Sequence, residues 1–256
     1  MGRFLALCFG IVCYVLAMGA LLYLFGFLGG FLVPKSIDSG APGPLGETLV
    51  IDVTLLISFG VVHSVMARPR FKMWWTRLVP RSLERSTFVL VASASLILLY
   101  WQWRPLDQIV WCAGARWAVV AWWTIYALGI AILFAATFVI DHFDLFGLRQ
   151  VWLNLLRRSQ TEPGFRVALF YGHVRHPIYL GFLVAFWATP RMTLGHLLFA
   201  ITWSAYILIA VRYEERDLVS LYGSDYLRYR RSVPMLIPGI PRLLSSLARR
   251  RASDSK

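Results

Sequence analysis

Residues 175–217 read RHPIYLGFLVAFWATPRMTLGHLLFAITWSAYILIAVRYEERD. Two apolar runs, Ile178–Thr189 and Thr193–Val211, meet at Pro190-Arg191. A charged cluster closes each outer end: Arg175-His176-Pro177 before the first run, and Arg212-Tyr213-Glu214-Glu215-Arg216-Asp217 after the second. The runs are continuous rather than alternating, which is the signature of buried or lipid-facing helices. Charges at the ends of such helices are costly to place, so they mark either a site or an anchor.

Outward from this stretch the chain repeats the same character. It has 256 residues, 58% of them hydrophobic, with mean hydropathy +0.62. That balance excludes an ordinary soluble domain. Lipid admits helices or closed barrels, and unbroken runs choose helices. Further spans are expected at Phe4–Val33, Thr48–Met66, Thr87–Trp103 and Trp117–Ile140. The first could be mistaken for a signal peptide. Its run is too long and no small-residue cleavage site follows, so it reads as an uncleaved span. A polar stretch, Asp141–Arg175, precedes the final hairpin.

Charge parity orients the layout. The loop after the second span carries Arg68, Arg70, Lys72, Arg77, Arg81 and Arg85 against Glu84, so it belongs on the cytoplasmic side. The basic stretch at 141–177 and the basic tail ending in Arg249-Arg250-Arg251 fall on that side too. Both ends of the 178–212 region then share one face, which makes it a hairpin. Its first arm is below the ~20 residues of a full span and is expected to penetrate only partway. The fold class expected is an all-α, polytopic membrane bundle with five full spans and one short hairpin arm. Both termini are expected in the cytoplasm. The chain reads as a single domain over 1–256: a four-span bundle to 140, the site region at 141–238 and the basic tail at 239–256. Trp74, Trp75, Trp101, Trp103, Trp111, Trp122 and Trp123 cluster at span ends and read as an interface belt.

The formal charge of +13 is confined to loops and tail, so a nucleic-acid partner is not expected. Cys8, Cys13 and Cys112 show neither metal spacing nor a disulfide framework. His173, His176, Glu214 and Glu215 are zinc-ligand types without the helical His-Glu spacing of a metalloprotease, and no metal is expected. Oligomeric state is not legible.

Pro177 suits the first position of a helix, where its missing donor has no partner anyway. Arg175 and His176 therefore precede a helix start whose backbone donors suit a carboxylate or phosphate. Tyr179 lies in the first turn, and Gly181 lets a helix or ligand approach closely. The hairpin returns Glu214 and Glu215 to the same face, as a site or as a salt-bridged anchor. Residues 218–234, with Tyr226, Tyr229 and Arg230, read as an amphipathic interfacial helix. A third cluster, Asp141-His142-Phe143-Asp144 to Arg149-Gln150, offers His142 or Asp144 as a general base, or else capping and loop charges. His63 and His196 stand alone in apolar spans and read as satisfied core histidines.

The run Val174-Arg175-His176-Pro177-Ile178-Tyr179-Leu180-Gly181, followed by Glu214-Glu215-Arg216-Asp217-Leu218, Tyr222-Gly223, Tyr226, Tyr229 and Val233-Pro234, resembles the isoprenylcysteine carboxyl methyltransferase superfamily. With Asp141–Gln150 and Trp187–Phe199, the layout is most similar to its bacterial methanethiol S-methyltransferases, relatives of the NnrU-like proteins. The chain departs from many members at Leu169-Phe170-Tyr171-Gly172-His173 and at Tyr222. The resemblance implies S-adenosyl-L-methionine as cofactor and a small thiol as substrate, in a bacterial cytoplasmic membrane with the site facing the cytoplasm. Tyr171, His173, Arg175, His176, Pro177, Tyr179, Gly181, Glu214 and Glu215 become cofactor-side candidates. His142, Asp144 and Arg149 become acceptor-side candidates. The alternatives are a prenylated or lipid acceptor, or a non-enzymatic NnrU-like accessory.

Overall fold

The computed structural model describes residues 2–159 and 167–238, so the expected basic tail lies outside the described residues. In chain order the elements are α1 (Gly2–Gly29), α2 (Leu45–Ala67), α3 (Pro69–Trp75), α4 (Arg81–Gln102), β1 (Ile109–Cys112), α5 (Arg116–Ile140), α6 (His142–Leu145) and α7 (Leu148–Leu155). A 3₁₀ turn at Leu169–Gly172 follows, then α8 (Pro177–Trp187), β2 (Arg191–Thr193), α9 (Leu194–Tyr222) and α10 (Ser224–Ser232). Helices α1, α2, α4, α5 and α9 are long and apolar enough to cross a membrane, and α8 is the shorter apolar helix. This is the all-α membrane bundle expected from the sequence.

Two helices outrun their apolar stretches. Helix α4 begins at Arg81, not Thr87, because Ser-Leu-Glu-Arg supplies adequate helix formers back to Pro80. Helix α9 continues to Tyr222, so Arg212–Asp217 are helical. Hydropathy marks where lipid ends, whereas a helix stops only where its hydrogen bonds stop. Pro177 does occupy the first turn of α8, as Pro69 does in α3.

Between spans in lipid, apolar burial gains little, because lipid tails are as apolar as leucine. Close van der Waals packing and buried hydrogen bonds hold the helices instead. Helices α5 and α8 show this most clearly. A side chain on Gly181 would stand 2.7 Å from Gly129 O, and one on Gly129 would stand 2.9 Å from Gly181 O. The close approach open to Gly181 is therefore taken by α5, not by a ligand, which corrects its place among the cofactor residues. Helix α1 is pinned by Tyr100, whose hydroxyl donates to Ala20 O at 2.9 Å, and by Tyr126, which donates to Phe25 O at 2.6 Å. Phe27, Trp103, Phe186, Phe199 and Trp203 fill the shared core.

The hairpin's first arm continues past its helix. After about 16 Å of helix, the chain turns at Thr189, whose N–H donates to Trp187 O, and bends at Pro190; β2 then pairs antiparallel with β1, Ile109 facing Thr193 and Cys112 facing Arg191. Strand β1 lies between α4 and α5, at the end of the bundle opposite Arg175. This pairing carries the short arm to the β1 end of the bundle. Leu194 N donates to Gln108 O at 2.8 Å and Gly195 N to Leu106 O at 2.9 Å, fastening the tip. His196 is a satisfied core histidine, its Nε2 bonded to Phe186 O at 2.9 Å. Trp103 is not a belt residue: it is 1% exposed, and its indole donates to Ile37 O at 3.0 Å.

Candidate active site

The two charged clusters meet where α8 begins and α9 leaves the apolar zone. Arg175 Nε donates to Glu215 Oε1 at 2.7 Å. Its Nη1 donates to Val233 O at 2.6 Å and to Arg230 O at 2.9 Å. The backbone joins in: Arg175 N donates to Pro234 O and His176 N to Met235 O. The segment after α10 thus lies along the residues before α8 like a short strand. His176 is buried, and its Nε2 lies 3.2 Å from the same Glu215 oxygen. A carboxylate only accepts, so that nitrogen carries the proton. Glu215, 8% exposed, is consumed inside the protein.

Glu214 differs from its neighbour. Tyr179 donates to its Oε2 at 2.8 Å, His176 Nδ1 stands 3.9 Å from its Oε1, and its side chain keeps 44% exposure. One carboxylate of the pair therefore braces the fold, and the other stays partly exposed. Tyr226 and Tyr229 of α10 are buried against the protein, which corrects the expectation that they sit at headgroup level. Tyr229 donates to Tyr171 O at 2.7 Å. Burial, with Glu215 adding and Arg175 opposing, pushes the Tyr229 hydroxyl up to about 12, so it stays a donor at neutral pH. His173 is exposed, with Nδ1 3.4 Å from Leu169 O, and lies outside the buried network.

The third cluster forms an elbow under α5. Asp141 caps α6 by accepting from Asp144 N at 3.0 Å. Arg149 pairs with Asp141 at 2.9 Å and with Asp144 at 3.7 Å. His142 is stacked on Phe138, with ring centroids 4.2 Å apart. Thr137 spends its own proton on Phe134 O at 2.7 Å, so its oxygen accepts from His142 Nδ1 at 2.8 Å. The remaining nitrogen, Nε2, then accepts from Tyr14 OH at 3.0 Å. Both ring nitrogens are occupied. Burial holds the His142 imidazole below its ordinary range, with Asp141 opposing. Burial also raises the Asp144 carboxyl, helped by Asp141 and opposed by Arg149 and Arg85.

Between the elbow and the Arg175–Glu214 cluster stands a residue the sequence did not single out. Arg85 Nε donates to Leu145 O at 2.7 Å, and its guanidinium lies over the Phe88 ring at 4.9 Å. Its ionisable neighbours come from several sides: Glu84 on α4 itself, Asp144 from the elbow, and Glu214 and Tyr179 from the other cluster. No other side-chain hydrogen bond of Arg85 is present among the described residues. Gly147 permits this seat. It sits at φ +84°, and a side chain there would strike Ser86 N at 2.7 Å. His63 faces the same region, its ring 4.8 Å from Phe88 and stacked on Phe59 at 5.4 Å. Its Nδ1 is buried without a hydrogen-bond partner among the described residues, so it is not the satisfied core histidine expected. Nothing local in sequence marks either residue. Arg85 reads as one more charge in a basic loop until α4 is seen to begin four residues earlier.

Fold and site together define an integral membrane protein with a partly buried cluster of ionisable residues, Arg85, Asp144, Arg175, Glu214 and Glu215 among them, at one end of a helical bundle. The chain is 50% identical over 238 residues to the methanethiol S-methyltransferase of Mycobacterium tuberculosis (strain ATCC 25618 / H37Rv), covering 93% of this chain and 98% of that one. It is 48% identical over 256 residues to methanethiol S-methyltransferase 2 of Bradyrhizobium diazoefficiens, covering 99% and 95%. Nurim of Mus musculus is a more distant relative, 27% identical over 67% of this chain and 68% of its own. No family model matches the chain, and no solved structure matches it. The chain belongs to the methanethiol S-methyltransferase family.

Proposed function

We propose that this protein methylates methanethiol to dimethyl sulfide with S-adenosyl-L-methionine, at the cytoplasmic face of a bacterial inner membrane. The observation that carries the reading is near-full-length identity to proteins named for that reaction. Charge parity supports the cytoplasmic face, because the Arg175 end of the bundle also carries the basic α2–α4 connection.

The residues present suit the cofactor. Its methionine part carries a carboxylate and an ammonium, and its ribose carries hydroxyls. Glu214 has an oxygen free for an ammonium or hydroxyl, since Tyr179 occupies the other. Arg175 keeps its Nη2 edge without a hydrogen bond among the described residues, which suits a carboxylate beside the α8 start. Tyr171 and His173 would flank the base ring. Glu215, His176 and Pro177 hold that geometry from behind. When bound, S-adenosyl-L-methionine supplies a methyl group on a cationic sulfur, and the transfer needs no metal.

What remains for the chain is positioning, exclusion of water and management of one proton. The elbow of His142, Asp144 and Arg149 borders the acceptor side, with Arg85 standing between it and Glu214. Asp144 and Arg149 supply its charges, and His142 fixes its position through Thr137 and Tyr14. Headspace gas chromatography of cells given methanethiol tests the reading, with dimethyl sulfide above a vector control as the expected result. Calorimetric binding of S-adenosylhomocysteine without dimethyl sulfide would point to another acceptor, and absence of both would remove the enzyme reading.

A further inference from the structure

Resting on that reading, the methyl acceptor still needs a place and a base. A thiol near neutrality is mostly protonated, and the thiolate is the nucleophile. The acceptor therefore needs a nitrogen able to take a proton, a cation to hold the anion, and apolar walls around a two-heavy-atom molecule. His142 fails the first requirement, because Tyr14 donates to its only basic nitrogen.

We propose that methanethiol is received between Arg85 and His63, giving its proton to His63 and resting as a thiolate beside the Arg85 guanidinium. Four observations converge on this place. His63 Nδ1 is buried with no hydrogen-bond partner among the described residues. Trp203, 6% exposed and stacked on the same Phe59 ring at 4.7 Å, has its indole nitrogen buried without a partner as well. Two orphaned nitrogens in one aromatic cluster are costly to leave unmade, and a bound polar guest relieves that cost. Phe59, Phe88 and Trp203 supply ring faces and edges, which sulfur contacts favourably. Arg85 is held by one nitrogen, Nε, to Leu145 O, and spans the gap between Asp144 and the Glu214–Tyr179 pair. It therefore stands on the path from this cluster to the cofactor side.

The balance of the step is simple. The thiol proton passes to His63 Nδ1. A sulfur lone pair forms a bond to the donor's methyl carbon. The carbon–sulfur bond that breaks leaves its electron pair on the donor sulfur, which becomes a neutral thioether. His63 later returns its proton to solvent. The ionisable groups that face the pair are Glu84 of α4, Lys72 of α3, Asp144 of α6, Tyr179 of α8 and Glu214 of α9.

The test compares wild type, His63→Phe, His63→Gln, Arg85→Met and Arg85→Lys in detergent. Calorimetry measures S-adenosylhomocysteine affinity, then methanethiol affinity for that complex. Kinetics measure kcat and KM against pH, with methanethiol and with methaneselenol, which ionises more readily at similar size. For His63→Phe we expect retained S-adenosylhomocysteine binding, a fall in kcat of about a hundredfold or more, and loss of the acid limb of the pH profile. The loss should shrink with methaneselenol. For Arg85→Met we expect methanethiol affinity to fall about tenfold or more, with partial recovery in Arg85→Lys. Should His63→Phe fail to bind S-adenosylhomocysteine, His63→Gln decides by the same criteria. Unchanged pH profile and methanethiol affinity in these variants, beside an active wild type, would overturn the proposal. A wild type that makes no dimethyl sulfide would instead overturn the function on which it rests.

Discussion

Arg175 holds four structural hydrogen bonds at once, counting its backbone N–H, and no other side chain reproduces that fork. Lysine keeps the charge but lacks the planar geometry. Arg175→Lys should raise the Kd of S-adenosylhomocysteine about tenfold or more, read by calorimetry, because charge-assisted bonds contribute about 1.5–3 kcal/mol each. His142 gives a pH prediction. Its folded pKa lies below the ordinary value of 6.5. As pH falls through that value, the unfolded chain takes up a proton that the folded chain resists, so stability falls. The thermal midpoint of the wild type should therefore drop more steeply below neutrality than that of His142→Gln. A parallel pair of curves would show that His142 does not contribute. Arg175, His176, Glu214 and Glu215 were legible because their charges sit contiguously beside apolar runs. Which glutamate faces inward was not, since adjacent helical positions differ only in direction. Arg85 and His63 were illegible for another reason: their neighbours come from other helices, α6, α8 and α9 for Arg85 and α4 for His63.

Helices α5 and α8 touch backbone to backbone at Gly129 and Gly181. Gly181→Leu would force a side chain into α5, and overpacking of this kind costs about 1–3 kcal/mol. The expected result is a lower unfolding midpoint in detergent and a loss of S-adenosylhomocysteine binding, since α8 carries Tyr179 and Pro177. A surface control such as Gly19→Leu, where a side chain meets nothing, should change little. The apolar spans themselves were plain in sequence. Their ends were not, because α4 and α9 continue as helices through charged residues that hydropathy assigns to loops. The β1–β2 ladder was hidden for a related reason. Four residues and three residues are too short to show a period, and the pairing is defined by what the hairpin tip meets.

For the molecule as a whole, orientation is the claim that charge parity makes and geometry leaves to experiment. Cys112 lies exposed in β1, at the end opposite Arg175, while Cys13 is buried. On intact cells a membrane-impermeant maleimide should label Cys112. In a Cys112→Ser background, Arg77→Cys should be labelled only after permeabilisation. The reverse pattern would place the site outside.

The strand-like return of Pro234 and Met235 along Arg175 and His176 also sets an order of events in synthesis. All the spans precede it in the chain, so insertion can finish before the site exists. Until residues 230–235 leave the ribosome, Arg175 lacks three of its acceptors, and the mouth of the site has no rim. A chain stopped after Tyr222 should therefore reach the membrane and still bind no S-adenosylhomocysteine. The Arg175 cluster is therefore completed last, after every span is in place.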